Sequence, residues 1–360
     1  MRAGRLPIAV VCLVAGCGSN MESGAQFEAG IVGNMHASLL KQLLALNQAA
    51  RDLQAAAPTP PDRGWDATAD QPALQGMRDA WKRMRSAWEA VEGAVGPMFP
   101  DLDAALDGRY EEYLATLGAA GDPDPFDGQG VTGMHAIERI LWAHVIPADV
   151  VTRESALAGY QPAAWPASAD QAAELKTGLC AELVSDSQSL VDQWKPRAID
   201  LASAFLGLTQ LMNEQEEKVS LAASHEEESR YSQRTLADLQ ANLTGTEEIF
   251  SLFEDWLQSL PDGALIDGGV QKAFDRLTST YTAASAASIS INGADAAEAL
   301  PPPPPEWDTM HPSIADQQTD FGKLYVSVVL EVDPNIVGSA VDAMNHVADA
   351  LGLQPYTGQN

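Results

Sequence analysis

Apolar side chains recur every three or four residues along most of this chain, and this spacing constrains the fold more than any other feature. Side chains at that spacing share one face of an α-helix. One such stripe near the start consists of Leu39, Leu43, Leu46 and Leu53, and the last stripe consists of Val337, Val341, Met344, Ala348 and Leu351. Few windows alternate at period two, and the apolar runs are rich in Ala and Leu rather than Val and Ile. The sequence therefore predicts an all-α protein.

Proline- and glycine-rich segments divide the helical pattern. After a first helix that ends before Pro58, we expect helices at about 72–95, 102–117, 133–145, 168–192, 196–223, 231–260, 269–286, 311–331 and 335–352. An interruption around Gln193 to Pro196 predicts two packed helical bundles, one over 31–195 and one over 196–360. The Pro-rich stretch at 288–306 predicts a loop within the second bundle.

The N-terminus has the pattern of an export signal. Arg2 and Arg5 precede a short apolar run over 6–15, which is too short to span a bilayer. The run ends Val-Ala-Gly-Cys at Cys17, which resembles a bacterial lipobox, whose cysteine is acylated and becomes the first residue of the mature protein. An ordinary cleaved signal that happens to contain a cysteine is the alternative.

These features predict a lipoprotein signal peptide over 1–17, lipidation of Cys17 and a polar tether over 18–30. We expect an exported bacterial protein that is anchored to the membrane by lipid and faces the periplasm or the cell surface. Cys12 leaves with the signal, so Cys180 remains alone in the body and no internal disulfide is expected.

The chain is strongly acidic, with 50 acidic and 21 basic residues and a formal charge of −29. This balance argues against nucleic acid as a partner, because two polyanions repel each other. It is compatible with attracting metal cations. An acidic surface that only keeps the protein soluble is the alternative.

Two pairs of carboxylates have helical spacing in the first half. Glu89 and Glu92 are three residues apart and Asp103 and Asp107 are four apart, so each pair shares a helix face. Arg85, one turn before Glu89, is expected to pair with it. Arg109 is expected to neutralise Asp103 or Asp107. A solvated acidic face or helix-capping aspartates would explain these pairs without a ligand.

His135 and Glu138 are also three residues apart, in the pattern H-x-x-E. The zinc-protease string H-E-x-x-H is absent from the chain. Carboxylates with one imidazole suit iron or another cation that prefers oxygen and nitrogen ligands. A hydrogen-bonded core histidine is the structural alternative.

Four strings, in order along the chain, together resemble the imelysin family, especially its EfeO/EfeM-like iron-uptake branch. Residues 88–92 resemble Y-E-x-I-E-P, and 102–109 resemble L-D-x-x-I-D-x-R. Residues 133–138 resemble the signature G-x-H-x-x-E, and 230–245 resemble R-Y-S-H-T-D-L-x-D-F-Q-A-N-x-D-G.

The resemblance implies a fold of two helical bundles, export or lipid anchoring, and a metal site at H-x-x-E. Carried over by position, the metal ligands are Glu89, Glu92, His135 and Glu138, with Asp103 or Asp107 nearby, and the supporting residues are Arg85, Arg109 and Gly133. Iron is the expected ion, and zinc, copper and calcium are alternatives. The chain departs from the family strings at four kinds of position: Gln233 replaces His, Arg234-Thr235 replaces Thr-Asp, Thr244 replaces Asp, and Gly93 replaces Pro. These departures weaken the expected contribution of the second bundle.

The leading hypothesis is a non-enzymatic, lipid-anchored metal-binding protein of the cell envelope that takes part in iron uptake, with a permease or receptor as a partner. Metal binding near neutral pH is expected to release few protons, and affinity is expected to fall in acid. A metallopeptidase with Glu138 or Glu92 as base is the enzymatic alternative. A ferritin-like di-iron bundle and a structural lipoprotein without metal are further alternatives.

Overall fold

The computed structural model describes residues 24–288 and 296–358. Helices dominate this part of the chain and no strand occurs in it, so the predicted all-α fold class is confirmed. None of its helices combines the length and the apolar character that a bilayer-spanning segment requires. The predicted signal peptide, the proposed lipidation site Cys17 and the first six residues of the predicted tether lie outside the described residues.

From Gly24 onward, where the described residues begin, the first half of the chain supplies nine α-helices. They are α1 (Gly24–Ala56), α2 (Gln71–Glu89), α3 (Glu92–Val95), α4 (Pro100–Asp107), α5 (Tyr110–Leu117), α6 (Gly133–Leu141), α7 (Ala148–Glu154), α8 (Ala169–Thr177) and α9 (Leu179–Trp194). α1 packs against α2 and α9, and α6 packs against α2, α4 and α9. Trp81, Trp88 and Trp194 are fully buried in this half.

The second half supplies six more α-helices in the described residues. They are α10 (Leu201–Ala222), α11 (Thr235–Phe250), α12 (Glu254–Gln258), α13 (Gly263–Ala287), α14 (Asp320–Val332) and α15 (Ala340–Leu351). α13 packs against α11, α14 and α15, and α10 packs against α14. The described end of the Pro-rich segment, 299–306, has no helix, as proline rules out continuous helical hydrogen bonding.

The two halves meet where α10 crosses α3 and α11 crosses α2. Glycines set how closely they approach. A Cβ on Gly207 of α10 would lie 2.0 Å from the carbonyl oxygen of Gly93, and one on Gly245 of α11 would lie 2.1 Å from that of Ala90. Any larger residue would therefore push the halves apart. The buried side chains of both halves form one continuous core.

Several predicted helices are shorter or divided in the structure. The single helix expected over 72–95 ends at Glu89, and α3 begins only at Glu92. The helix expected over 102–117 breaks at Gly108, where the backbone is extended (ψ 138°). α5 then starts with a hydrogen bond from the backbone N–H of Arg109 to Glu112 Oε2 at 3.0 Å. The helix expected from 231 starts at Thr235, because Gln233 has a left-handed φ of 57°.

The tether expected over 18–30 also overlaps α1, which begins at Gly24. Ile31 and Met35 are buried and Phe27 is partly buried against the core, so the apolar stripe of this helix extends further back than the sequence predicted. Helical packing therefore begins within the segment expected to be a flexible tether.

Candidate metal site

An acidic cleft of about 270 Å³ lies between the two halves of the molecule. Seven carboxylates line it, from Glu92, Asp103, Asp107, Glu112, Glu214, Glu217 and Glu228, against the two cationic side chains of Arg109 and Lys218. We refer to this space as the acidic cleft. Its inner wall continues into a buried network of charged side chains on α2, α4, α6, α10 and α11.

Arg85 lies at the centre of this network, and its side chain is fully buried on α2. Its guanidinium contacts the carboxylates of Glu89 and Asp107 closely. It also lies 2.6 Å from Glu228 Oε2 and 3.5 Å from Asp238 Oδ2. One guanidinium therefore joins carboxylates from both halves, a role that its planar fork of five donors permits.

Lys218 on α10 is the second buried cation. Its Nζ lies 2.9 Å from Glu228 Oε2, 3.1 Å from Glu89 Oε2 and 3.7 Å from Glu92 Oε2. It also donates to Asn242 Oδ1 at 3.1 Å. Arg85 and Lys218 thus hold Glu89 between them, and they link α2 to α10 and α11.

His135 on α6 lies between two carboxylates. Its Nδ1 is 2.8 Å from Glu138 Oε2, and its Nε2 is 3.1 Å from Asp107 Oδ1. Glu138 Oε1 accepts a further hydrogen bond from the backbone N–H of Ser232 at 2.8 Å, and Asp107 Oδ2 accepts one from Trp88 Nε1 at 2.9 Å. Asp107 is therefore held at the wall of the cleft by Trp88, by Arg85 and by its ion pair with His135.

Gly133 brings this histidine to its place. Its φ is +83°, and a Cβ there would lie 2.7 Å from the carbonyl oxygen of Ala105 and 2.8 Å from that of Leu106. Only glycine adopts this backbone conformation freely and lets α6 start against the end of α4. This close approach sets His135 beside Asp107.

The pKa values of the network separate into two groups. Burial raises the pKa of Glu89 and of Asp103 to about 7 each and raises that of Glu92 well above its usual range. Burial acts in the same direction on Asp107, but Arg85 and His135 outweigh it and hold the pKa of Asp107 at about 2. Burial opposes protonation of His135, yet its contacts with Asp107 and Glu138 raise its pKa to about 9.

Three carboxylates are close enough to share one cation. Glu89, Glu92 and Asp107 each offer an oxygen, and these atoms lie within 4.8 Å of one another. A second group with the same spacing is Glu89, Glu228 and Asp238. Glu92 Oε2 is buried without a hydrogen-bond partner, which is costly unless something else satisfies it. A cation bound by carboxylate oxygens fits this donor set.

The sequence profile of the Imelysin family, peptidase M75, matches residues 34–300, about three quarters of the chain. The chain belongs to the imelysin family. No curated protein matches it significantly. It resembles the crystal structure of an imelysin-like protein from Psychrobacter arcticum 273-4, with 14% sequence identity and a TM-score of 0.54 over 94% of this chain and 99% of that one. At this identity the likeness concerns the fold.

The structure brings together most of the residues that the imelysin strings indicated. The predicted pairing of Arg85 with Glu89 is confirmed. Asp103 lines the acidic cleft but stands outside the close carboxylate groups found among the described residues. His135 and Glu138 contact each other, and Glu138 also accepts from the backbone of Ser232. Neither lines the acidic cleft; His135 contacts Asp107, which does.

The expected role of Arg109 is wrong. Its guanidinium lies 3.0 Å from Glu112 and 3.8 Å from Glu111, and it pairs with neither Asp103 nor Asp107. The break at Gly108 places Arg109 at the start of α5, where its guanidinium donates to Glu112 Oε1. It lines the acidic cleft from this position.

The second half contributes more to the site than the sequence led us to expect. The imelysin string over 230–245 supplies Asp238 and Asn242, and Asn242 Nδ2 donates to Glu89 Oε2 at 2.5 Å. The start of the same string also holds the site in place, because the backbone N–H of Ser232 donates to Glu138 Oε1. Lys218 and Glu228 lie outside every string that we recognised, and only the fold reveals them.

Proposed function

We propose that this imelysin-family protein is a lipid-anchored, metal-binding protein of the bacterial cell envelope that takes part in iron uptake. The observation that carries the proposal is the approach of oxygens from Glu89, Glu92 and Asp107 to within 4.8 Å of one another at the wall of the acidic cleft. A permease or receptor of the envelope would receive or deliver the ion.

The charge balance supports a cation as the ligand. Around this point, six carboxyl groups face four cationic side chains, those of Arg85, Lys218, Arg234 and a protonated His135: the acids are Glu89, Glu92, Asp107, Glu138, Glu228 and Asp238. The pKa values of Glu89 and Glu92 are raised, so part of the negative charge develops only when an arriving cation displaces their protons. These groups are partly shielded from water, where electrostatic attraction is stronger than at the surface. Oxygen donors favour iron or calcium, whereas zinc and copper usually take more nitrogen or sulfur.

Each residue has a separate task in this proposal. Glu92 and Asp107 face the acidic cleft and would hold the ion directly, and Glu89 would close the site from the inner side. His135 holds Asp107 in place as a protonated imidazole. It would become a ligand only after losing its proton, because a protonated ring has no lone pair to donate.

Metal binding is expected to release protons, which differs from the expectation from sequence alone. With pKa values of about 7, Glu89 and Asp103 are partly protonated at neutral pH, and an arriving cation displaces those protons. We expect calorimetric titration of the mature chain with iron(II) in the absence of oxygen to show saturable binding. Affinity should rise as pH increases from 6 to 8, roughly up to tenfold per pH unit for each proton released.

Two buffers with different ionisation enthalpies count these protons directly. The difference between the binding enthalpies in the two buffers, divided by the difference between the ionisation enthalpies of the buffers, should correspond to about one proton released per ion. Zinc, copper(II) and calcium titrated in the same way decide the preferred ion. If none of the four ions, iron(II), zinc, copper(II) and calcium, binds saturably, the metal-binding proposal is ruled out.

The proposed lipid anchor has a matched internal control. Export of the full chain in bacteria grown with labelled palmitate should yield a labelled protein. Cys17→Ser should abolish the label, because the thiol that carries the lipid is gone, and Cys12→Ser should leave it intact. Label that persists in the Cys17→Ser chain, measured on the purified protein, would contradict the assignment of the anchor.

A further inference from the structure

A second groove, of about 820 Å³, lies along α2 and α11 and shares no lining residue with the acidic cleft. Lys82 and Arg83 of α2 and Arg234, the residue before α11, line it together with small residues such as Ala87, Ala241 and Gly245. We refer to it as the basic groove. Arg234 connects the basic groove to the buried network through Asp238, but the inference drawn from the groove does not depend on metal binding.

More basic than acidic side chains line this groove, whereas the chain as a whole is strongly acidic. The protein has 50 acidic and only 21 basic residues, yet three basic side chains and two acidic ones, Glu248 and Glu298, line the basic groove. Arg83 forms an exposed ion pair with Asp52, in which its Nη2 lies 3.1 Å from Asp52 Oδ2. Lys82 and Arg234 therefore carry the positive charge inside the groove.

Arg234 is a buried cation with unused hydrogen-bonding capacity. It is only 6% exposed. One of its terminal nitrogens donates to Ser86 Oγ at 2.8 Å, and the other lies 3.5 Å from Asp238 Oδ1. Its Nε has no hydrogen-bond partner. A buried guanidinium N–H without a partner is costly, and it marks a place where an acceptor would be stabilised.

A side chain of the protein already shows which chemical group fits there. Glu298, in a short 3₁₀ turn over 296–298, places Oε2 2.5 Å from Lys82 Nζ and Oε1 3.5 Å from Arg234 Nε. Its carboxylate thus bridges the two cations but reaches Arg234 only at a distance too long for a good hydrogen bond. A carboxylate that is not tethered to the chain could lie within hydrogen-bonding distance of both Lys82 and Arg234.

Two departures from the imelysin string line this same groove. Arg234 stands where the string has Thr, and Thr244 stands where it has Asp. The first adds a positive charge and the second removes a negative one. The basic character of the groove therefore comes from residues that distinguish this chain from the string it resembles.

We propose that the basic groove binds a small organic carboxylate, which displaces Glu298 from Lys82 and Arg234. Gln42, Gln240 and Thr244 also line the groove and would hydrogen-bond the rest of the ligand. The hydroxyl oxygen of Ser86 already accepts from Arg234 and helps to hold that guanidinium in place. Glu298 acts as an internal competitor for the same two cations.

Calorimetric titration of the metal-free mature chain with succinate tests this proposal, with succinamide as an uncharged probe of the same size. Succinate should bind saturably and succinamide should not. Glu298→Gln should strengthen succinate binding about tenfold, because it removes a tethered competitor. Lys82→Gln should weaken it about tenfold or more, the usual range for a lost charge-assisted hydrogen bond. Lys82 is about a quarter exposed, so this variant is not expected to disturb the core.

Arg276→Gln serves as the matched control. Arg276 pairs with Glu331 at 2.7 Å outside the groove, so succinate affinity should stay within about twofold of the wild type, as expected of a screened surface charge. Equal binding of succinamide, tighter binding of inorganic phosphate than of succinate, or an unchanged affinity in Glu298→Gln would each overturn the proposal. Circular dichroism and thermal melting establish that every variant is folded.

Discussion

Replacement of Arg85 by methionine is expected to lower the free energy of unfolding by about 3–5 kcal/mol at neutral pH, the range for removing one partner of a buried ion pair. The wild-type guanidinium is fully buried among Glu89, Asp107, Glu228 and Asp238. Methionine fills part of the space but leaves these carboxylates without their shared cation. Urea unfolding followed by circular dichroism measures the loss.

The loss should depend on pH in a defined direction. In the wild type, Arg85 helps to hold the pKa of Asp107 at about 2, so this stabilisation is present above the ordinary aspartate pKa and disappears as pH falls towards 2. In Arg85→Met the uncompensated carboxylates accept protons more readily, which relieves their repulsion in acid. The difference in stability between wild type and variant should therefore be larger at pH 7.5 than at pH 5.

Arg276→Met is the control for this experiment. Its side chain is 47% exposed and pairs with Glu331 at the surface, so we expect it to cost less than about 1 kcal/mol. If Arg85→Met is no more destabilised than Arg276→Met, the buried network does not hold the two halves together in the way described.

The double variant Glu92→Gln with Asp107→Asn is expected to reduce iron affinity at least about 100-fold, because changes to the residues that merely support metal ligands already cost 10- to 100-fold. The amides keep the size of both side chains but remove two of the three negative charges that approach within 4.8 Å at the cleft wall. Calorimetric titration at pH 7.5 measures the change.

Two further variants make this result specific. Glu92→Gln alone should fold normally, since Glu92 Oε2 has no hydrogen-bond partner to lose, and we expect it to cost roughly tenfold in affinity. Glu217→Gln removes a carboxylate that lines the same acidic cleft but lies outside the close groups in the described residues. We expect it to change affinity less than about threefold through the overall field. Equal losses of iron affinity in the double variant, in Glu92→Gln and in Glu217→Gln would mean that the cleft attracts cations without a defined site.

The helical fold could be predicted from sequence because its cause is local. A stripe such as Leu39 to Leu53 is buried only if the chain is helical, and those leucines are buried in α1. The ends of helices were less predictable. The breaks after Glu89 and at Gly108 depend on packing against the opposite half and on the hydrogen bond from Arg109 N–H to Glu112, neither of which the periodicity of side chains encodes.

The candidate site was only half visible in the sequence. Helical spacing and the imelysin strings indicated Glu89, Glu92, Asp107 and His135, which the fold does bring together. Lys218 and Glu228 have no distinctive spacing and appear in no string. In the structure, Lys218 Nζ lies 2.9 Å from Glu228 Oε2 within the network. Arg109, which the sequence placed beside the aspartates, turns instead towards Glu112.

The sequence by itself determined the all-α fold, the acidic charge and the residue types that face the cleft, because each follows from residues close together along the chain. Only the tertiary structure decided which charges meet. α10 and α11 reach the first half through the close contacts at Gly207 and Gly245, and they bring Lys218 and Asp238 to the carboxylates of α2 and α4. Electrostatic interaction depends on distance and burial in space, and neither can be read from positions along the chain.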